Sequence, residues 1–232
     1  MSSVDPSVIA ELPLFRDFSR EQLVDILRHA TSRRSPKNTN VFEQDGKAHS
    51  FFVLVHGRLR VVKLTPDGQQ VVIRYINPGD LFGVAMAIGR DTYPATSMAV
   101  VDSIALAWPT SVWPEMIARY PALGVSTLQT IGSRLQDTQT RVVEMSTEEV
   151  SRRVAHALLR LAKQSGRKVD QGIEIDFPIS RQDIAEMTGT TLHTVSRLLS
   201  SWEGEGLVEG GRQRIILKDP DRLFLLAEGT SE

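Results

Sequence analysis

Residues 189–202 read GTTLHTVSRLLSSW, and their types sort onto two faces at helical spacing. Val195, Leu198 and Leu199 form an apolar stripe suited to burial. The opposite face carries Thr191, His193, Ser196, Arg197 and Ser200, hydrogen bonders in place of the Lys and Glu that would keep an idle helix soluble. Chemistry of that kind fits the base edges in a DNA major groove, where donors and acceptors are matched one at a time. The outward residues of the first turns, Thr191, Leu192, His193, Ser196 and Arg197, would meet the bases. Arg197 offers two donors to guanine O6 and N7, a contact contributing ~1–3 kcal/mol of discrimination. Leu192 suits a thymine methyl, and Ser196 a base or a phosphate. His193 donates to guanine N7 or a phosphate, or accepts from cytosine N4 or adenine N6, according to its tautomer.

Such a helix needs neighbours to aim it. SRQDIAEMTG, just before it, reads as a shorter helix, with Ala185 where the two helices cross and Gly189 where the turn wants a positive φ. LVEGGRQRIILKD, just after it, reads as a β-hairpin in which Gly210-Gly211 supplies the positive-φ turn. Two helices, a short glycine turn and a hairpin make a winged helix-turn-helix. Ser180, Arg181 and Gln182, at the start of the first helix, and Arg212 and Arg214, in the wing, are then placed for DNA phosphates. The competing reading is an ordinary helical hairpin with a polar outer face.

The rest of the chain is organised differently. SREQLVDILRHA is a short amphipathic helix with Ser19 as N-cap and Gln22 at the capping-box position. From about residue 41 to 108, FFVLVHGRLRVVKL, QQVVIRYI and DSIALAW are strand-like, separated by TPDGQQ, NPGD and QDGK turns. SVWPEMIARYP makes a short helix ended by Pro121, and a long one follows over about 122–145. In that helix Leu128, Ile131, Leu135, Thr138, Val142 and Met145 are spaced as a heptad seam, which predicts dimerisation; the alternative is a helix laid on its own sheet. STEEVSRRVAHALLRLAKQSG starts a new helix capped by Ser146 or Thr147, GIEIDFPIS is a short strand, and the tail AEGTSE reads as disordered. The fold class is therefore α+β: an N-terminal antiparallel β-roll (1–120), a dimerisation helix (121–146) and a C-terminal winged helix-turn-helix (147–232).

Composition narrows the function. The 232 residues are 41% hydrophobic and 24% charged, which is ordinary globular composition. With no Cys there is no disulfide, thiolate metal site, Cys-ligated iron–sulfur cluster or Cys nucleophile. Neither a secretory leader nor a membrane-length apolar run is present, so a cytoplasmic protein is expected. P-loop, G-x-S-x-G, H-E-x-x-H and dinucleotide-binding fingerprints are absent, so an enzyme is not expected. The net charge of −1 weighs against nucleic acid unless the basic residues are gathered on one face.

In the order roll, heptad helix, winged helix, the chain resembles the Crp/Fnr superfamily of bacterial transcription regulators. ISRQDIAEMTGTTLHTVSRLLSSWEGEGLV looks like that family's DNA-binding signature, and Gly46, Gly57 and Gly83 match the glycines of its cyclic-nucleotide-binding-like jelly roll. The resemblance implies a homodimer on a TTG…CAA-like palindrome in double-stranded DNA, contacting RNA polymerase and controlled by an effector sensed in the roll. His193 stands where most of the superfamily has Glu, so the outer half-site positions depart from the family's. Members that bind cyclic AMP have a Gly-Glu pair and a later Arg-Ser or Arg-Thr; here Val84 replaces the Glu, Pro94-Ala95 stand near the Arg-Ser position, and Arg90 comes too early. Burying a cyclic phosphate without a paired cation is costly, which argues against cyclic nucleotides. GDLFGVAMAIGRDTYPATSMAVVDSIALAWP with TLHTVSR is similar to the nitrite/nitric oxide reductase regulators (NnrR/Dnr type), which implies a nitric oxide response in denitrification, with haem as a candidate sensor. Gly83, Val84, Met86, Tyr93 and Met98 mark the effector-pocket region. No metal-ligand set is identified: His29, His49, His56 and His156 each read as surface or packing residues as readily as axial ligands. Two alternatives stand: a family member with another effector or none, and a small-molecule-binding module acting on a protein partner.

Overall fold

The computed structural model describes residues 5–229. The chain forms two compact units, Met1–Gln69 with Ile73–Gln136, and Gln70–Val72 with Asp137–Glu232. In the first, helices α1 (Ser7–Ala10) and α2 (Arg20–Leu27) precede the strands. Ser19 caps α2 in the expected box: its hydroxyl accepts from the Gln22 amide while the Gln22 side chain accepts from the Ser19 amide. The strands are β1 (Thr31–Ser35), β2 (Asn40–Phe42), β3 (Ser50–His56), β4 (Leu59–Leu64), β5 (Gln70–Ile76), β6 (Leu81–Phe82), β7 (Thr96–Ala99) and β8 (Ser103–Pro109). They build two four-stranded sheets, ordered β1-β8-β3-β6 and β2-β7-β4-β5, as the roll reading predicts. Helix α3 (Trp113–Arg119) closes the unit.

Strand β3 shows why SFFVLVH is almost continuously apolar. Phe51 and Val53 enter a cluster with Leu23, Ile26, Trp108 and Trp113, whereas Phe52 and Leu54 enter the space between the two sheets. A strand buried on both faces loses the polar half of its alternation. Trp108 satisfies the polar tip of its buried ring by donating from Nε1 to the Ile26 carbonyl at 2.7 Å. Strand β1, TSRRS, escapes sequence reading. It pairs with β8 from Thr31↔Ala107 to Ser35↔Ser103, yet only Ser35 is buried. At a sheet edge its arginines face water, and such charges discourage pairing with another chain.

Helix α4 (Pro121–Thr147) contributes the buried Leu123 and Thr127 near its start. Further along, Leu128 (69% exposed), Leu135 (58%), Val142 (58%) and Met145 (41%) lie open, with Thr138 exposed and Ile131 half-buried. A seam laid on its own sheet would bury these apolar side chains; here the chain leaves them uncovered. The helix also runs past the cap expected at Ser146 or Thr147. Those hydroxyls instead donate to the Val142 and Val143 carbonyls, each at 2.8 Å, so they sit in the helix without breaking it.

The second unit holds α5 (Val150–Ser165), β9 (Gly166–Val169), β10 (Gly172–Ile175), α6 (Arg181–Thr188), α7 (Leu192–Gly204), β11 (Val208–Gly211), β12 (Arg214–Leu217) and α8 (Pro220–Glu228). The N-cap of α5 is Glu149, which makes no side-chain cap bond. Its strands form one sheet ordered β11-β12-β10-β9. The tail reading is corrected in part: Ala227 and Glu228 finish α8 and Gly229 caps it, while residues 230–232 lie outside the described residues.

Candidate nucleic-acid interface

The turn between α6 and α7 is built as the spacing predicts. Ser180 caps α6: its hydroxyl accepts from the Asp183 amide at 3.1 Å, and the Asp183 carboxylate accepts from the Ser180 amide at 2.8 Å. Ala185 is 1% exposed, and its carbonyl accepts from the Gly189 and Thr190 amides. Gly189 has φ +61°, the left-handed conformation that a side chain would oppose. Thr191 then caps α7, accepting from the Thr194 amide at 3.2 Å. The inner stripe is Val195, Leu199 and Trp202, all buried, with Leu198 only half-buried at its flank. Trp202 extends the stripe beyond the one expected, standing seven residues after Val195 on the same helical face.

The outer face is open. Thr191, Leu192, His193, Arg197 and Ser200 are exposed and Ser196 is half-buried. Among the described residues neither His193 nor Arg197 enters an ion pair, so both side chains are available. Ile179, Ser180, Arg181, Gln182, Leu192, Leu199, Gly210, Gly211, Gln213, Arg214 and Ile215 enclose an open cleft of about 360 Å³ beside that face. The structure thus brings α6's first residues, the start of α7 and the wing together.

Two expectations about this surface change. Gly210 and Gly211 do not make the wing turn: both are strand residues, opposite Ile215 and Arg214. The turn is Arg212-Gln213, with the positive φ (+57°) at Gln213. Nor are the backbone-facing side chains all free. Arg181 Nη2 lies 3.2 Å from Glu203 Oε1, Gln182 donates to Glu186 at 2.9 Å, and the Ser180 hydroxyl donates to Asp183 at 2.6 Å. Arg214 donates to Glu174 at 2.8 Å, and that bond holds the Glu174 carboxyl below its ordinary range and raises Arg214. Arg212 stands exposed in the turn.

Of the five effector-region residues, Gly83 and Tyr93 meet at the Phe42 ring, whereas Val84 and Met86 share a neighbouring cluster. Gly83 turns with φ +69° against the Phe52 ring, which a Cβ would approach to 2.9 Å. Val84 and Met86 pack in the cluster beneath α2. Met98 on β7 accepts from Arg60 at 3.4 Å. Tyr93 is 5% exposed and stacks on Phe42, centroids 3.9 Å apart. Its hydroxyl donates to the Ser50 carbonyl at 2.6 Å and accepts from the Ser50 amide at 3.3 Å. Burial raises its pKa. Phe52 and Phe82 continue the stack, filling the space between the sheets. Sequence reading missed Phe42, Phe52 and Phe82, whose spacing along three strands carries no local signal. On β5, burial and then the neighbouring Arg134 push Arg74 down to about 9.

The histidines read as axial-ligand candidates are exposed in the first unit: His29, His49 and His56. His29 borders a cleft of about 70 Å³ with Asp25, Arg119 and Tyr120. Arg119 and then Tyr120 hold the Asp25 carboxyl below its ordinary range by hydrogen bonds of 2.6 and 2.7 Å. In the second unit His156 Nε2 lies 3.4 Å from Glu148. The described residues include no group of three His, Cys, Asp or Glu arranged to hold a metal ion, and no helix among them is long and apolar enough to cross a membrane.

Comparison with known proteins agrees with this architecture. Residues 32–120 match the cyclic nucleotide-binding domain family and residues 152–225 the Crp-like helix-turn-helix domain. The chain is 27% identical over 217 residues to the cyclic AMP receptor protein of Thermus thermophilus, covering 94% of this chain and 97% of that one. It is 29% identical over 189 residues to the nitrogen fixation regulation protein FixK of Azorhizobium caulinodans, covering 81% and 75%. Among solved structures, FixK2 from Bradyrhizobium japonicum superposes with a TM-score of 0.75 at 25% identity, over 85% of this chain and 96% of that one.

Proposed function

We propose that the chain is a DNA-binding transcription regulator of the Crp/Fnr family, with a sensing domain ahead of its helix-turn-helix, and that it reads a TTG…CAA-like palindrome as a homodimer. The observation that carries this is the open polar face of α7. Arg197 and His193 are exposed there and enter no ion pair among the described residues, next to Leu192 and half-buried Ser196. Placed in a major groove, Arg197 pairs with guanine and Leu192 meets a thymine methyl. Thr191 already caps its own helix, so its oxygen has less to offer a base than Ser196 has. Ser180, Arg181 and Gln182, which line the cleft, and Arg212, exposed in the wing turn, would face phosphates, while Arg214 is held by Glu174. The exposed seam of α4, from Leu128 to Met145, supports the dimer. An effector in the roll would shift the population of dimers whose two α7 helices match half-sites one helical turn apart. Bound upstream of a promoter, such a dimer would contact RNA polymerase.

For the signal we propose a nitric oxide response in denitrification, which rests on sequence resemblance. Cyclic nucleotide is not part of the proposal, because Val84 is a buried apolar residue where a ribose-holding Glu is needed. Haem does not fit these residues either, since the first unit's histidines are exposed rather than set in an apolar cavity. The relatives are regulators, and no catalytic role enters the proposal. The test is fluorescence anisotropy with the palindrome and a scrambled duplex at one fixed salt concentration, with and without nitric oxide. Preference for the palindrome, altered by nitric oxide, is expected. Equal affinity for both duplexes in both conditions overturns the DNA reading, and an unchanged preference overturns the signal.

A further inference from the structure

Arg181, the first residue of α6, is already occupied. Its Nη2 lies 3.2 Å from Oε1 of Glu203 in the last turn of α7. Gly210 of β11 makes the room for that carboxylate: a Cβ on residue 210 would stand 2.3 Å from the same oxygen. Glu203 enters no other ion pair among the described residues. Resting on the DNA reading above, we propose that Glu203 is an internal stand-in for a DNA phosphate: it holds Arg181 in the free protein and lowers the sequence-independent part of DNA affinity.

Three features support this. A carboxylate and a phosphate present the same kind of oxyanion to a guanidinium, so one can replace the other on Arg181. The pair is accessible for the exchange, with side-chain exposures of 37% and 33%, and Arg181 and Gly210 both line the cleft beside α7. Gly210, a strand residue without positive φ, leaves the space beside this pair open. By contrast, the second wing arginine is framework: Glu174 holds Arg214 at 2.8 Å and Arg167 at 3.1 Å together, tying β9, β10 and β12.

The consequence is read in salt dependence. A free arginine that neutralises a phosphate releases close to one condensed cation, giving a slope of about −0.9 in log K against log salt for each contact. An arginine that must first leave a carboxylate adds less to affinity, and the carboxylate left beside the DNA lowers the local positive charge that the phosphates meet. Where non-specific sites vastly outnumber specific ones, a smaller such term leaves more protein free to search.

The experiment titrates full-length protein against a fluorescein-labelled scrambled duplex over a salt series, since the phosphate term needs neither the right sequence nor an effector. Glu203→Gln is expected to bind more tightly than wild type, most clearly at low salt. Glu203→Ala, which removes the carboxylate and leaves no amide oxygen to hold Arg181, is expected to tighten binding as well, and it carries the test should Glu203→Gln fail to fold. Arg181→Ala is expected to weaken binding. If wild type binds and Arg181→Ala weakens it, but Glu203→Gln leaves affinity unchanged or lowers it across the salt series, Glu203 buttresses Arg181 and the inference is overturned. If wild type binds no duplex at the lowest salt, the DNA reading falls and this inference falls with it.

Discussion

The two units use similar side chains for opposite purposes. In the roll, Tyr93, Val84 and Met86 look like pocket residues by type and place, yet packing absorbs them. In the winged helix-turn-helix, Leu192, His193 and Arg197 are left facing water. A solvated helix gains little stability from such a face, whereas each aromatic between the sheets buries a large apolar area. Functional chemistry is therefore easier to recognise where the fold has no use for it. Helix α4 shares the second pattern, with an apolar seam that its own chain leaves uncovered.

Breaking the contrast at α4 has the largest expected effect. Leu135→Glu puts two carboxylates at the middle of the proposed seam. Each Leu no longer buried is worth ~1.5–3 kcal/mol, so about 3–6 kcal/mol per dimer is lost. Light scattering should report half the wild-type mass with the fold retained; an unchanged mass would place the interface elsewhere. Next comes Phe82→Ala. Phe82 is 1% exposed and stacks on Phe42 and Phe52, and its removal is expected to cost ~3–5 kcal/mol of stability. Denaturant unfolding should show a lowered midpoint, and a loss below about 1 kcal/mol would mean the roll interior is loosely packed.

Legibility followed the same division. The α6–α7 turn was readable because Gly189 and Ala185 are each required by local geometry that any such turn shares, whereas the caps at Ser180 and Thr191 emerge only in the structure. A positive-φ requirement acts within a few residues, so a sequence displays it. Strand β1 was not readable, because a polar edge strand is defined by its partner β8 and not by its own residues. The Phe42–Tyr93 stack was hidden for a similar reason, joining residues 51 positions apart in a chain whose strands alternate between two sheets. Gly210 stands in a strand and not in the turn, and what lies nearest its open side is Glu203, a side chain on another element that no local spacing reveals.

In the second unit, Arg197→Ala should leave unfolding unchanged, because the side chain is exposed and enters no ion pair among the described residues. It should remove about 1–3 kcal/mol of preference for the palindrome over a duplex with the guanine replaced, measured by anisotropy at fixed salt. Retained preference would end Arg197's assignment as the base reader, and a lowered unfolding midpoint would mean that the outer face of α7 is structural after all.

The smallest effect separates packing from sensing inside the roll. Tyr93→Phe keeps the ring on Phe42 and removes only the hydroxyl, which donates to the Ser50 carbonyl and accepts from the Ser50 amide. Removing it leaves both backbone groups of Ser50 without that partner, at an expected cost of ~1 kcal/mol. If Tyr93 is framework, the variant unfolds slightly earlier while its DNA affinity changes with the signal as wild type's does. If Tyr93 touches the effector, the response to the signal shifts by more than the stability does. The second outcome would erase the contrast between the units, because the roll would then also keep a chemical group for use. The doubly bonded phenol, 5% exposed, favours the first.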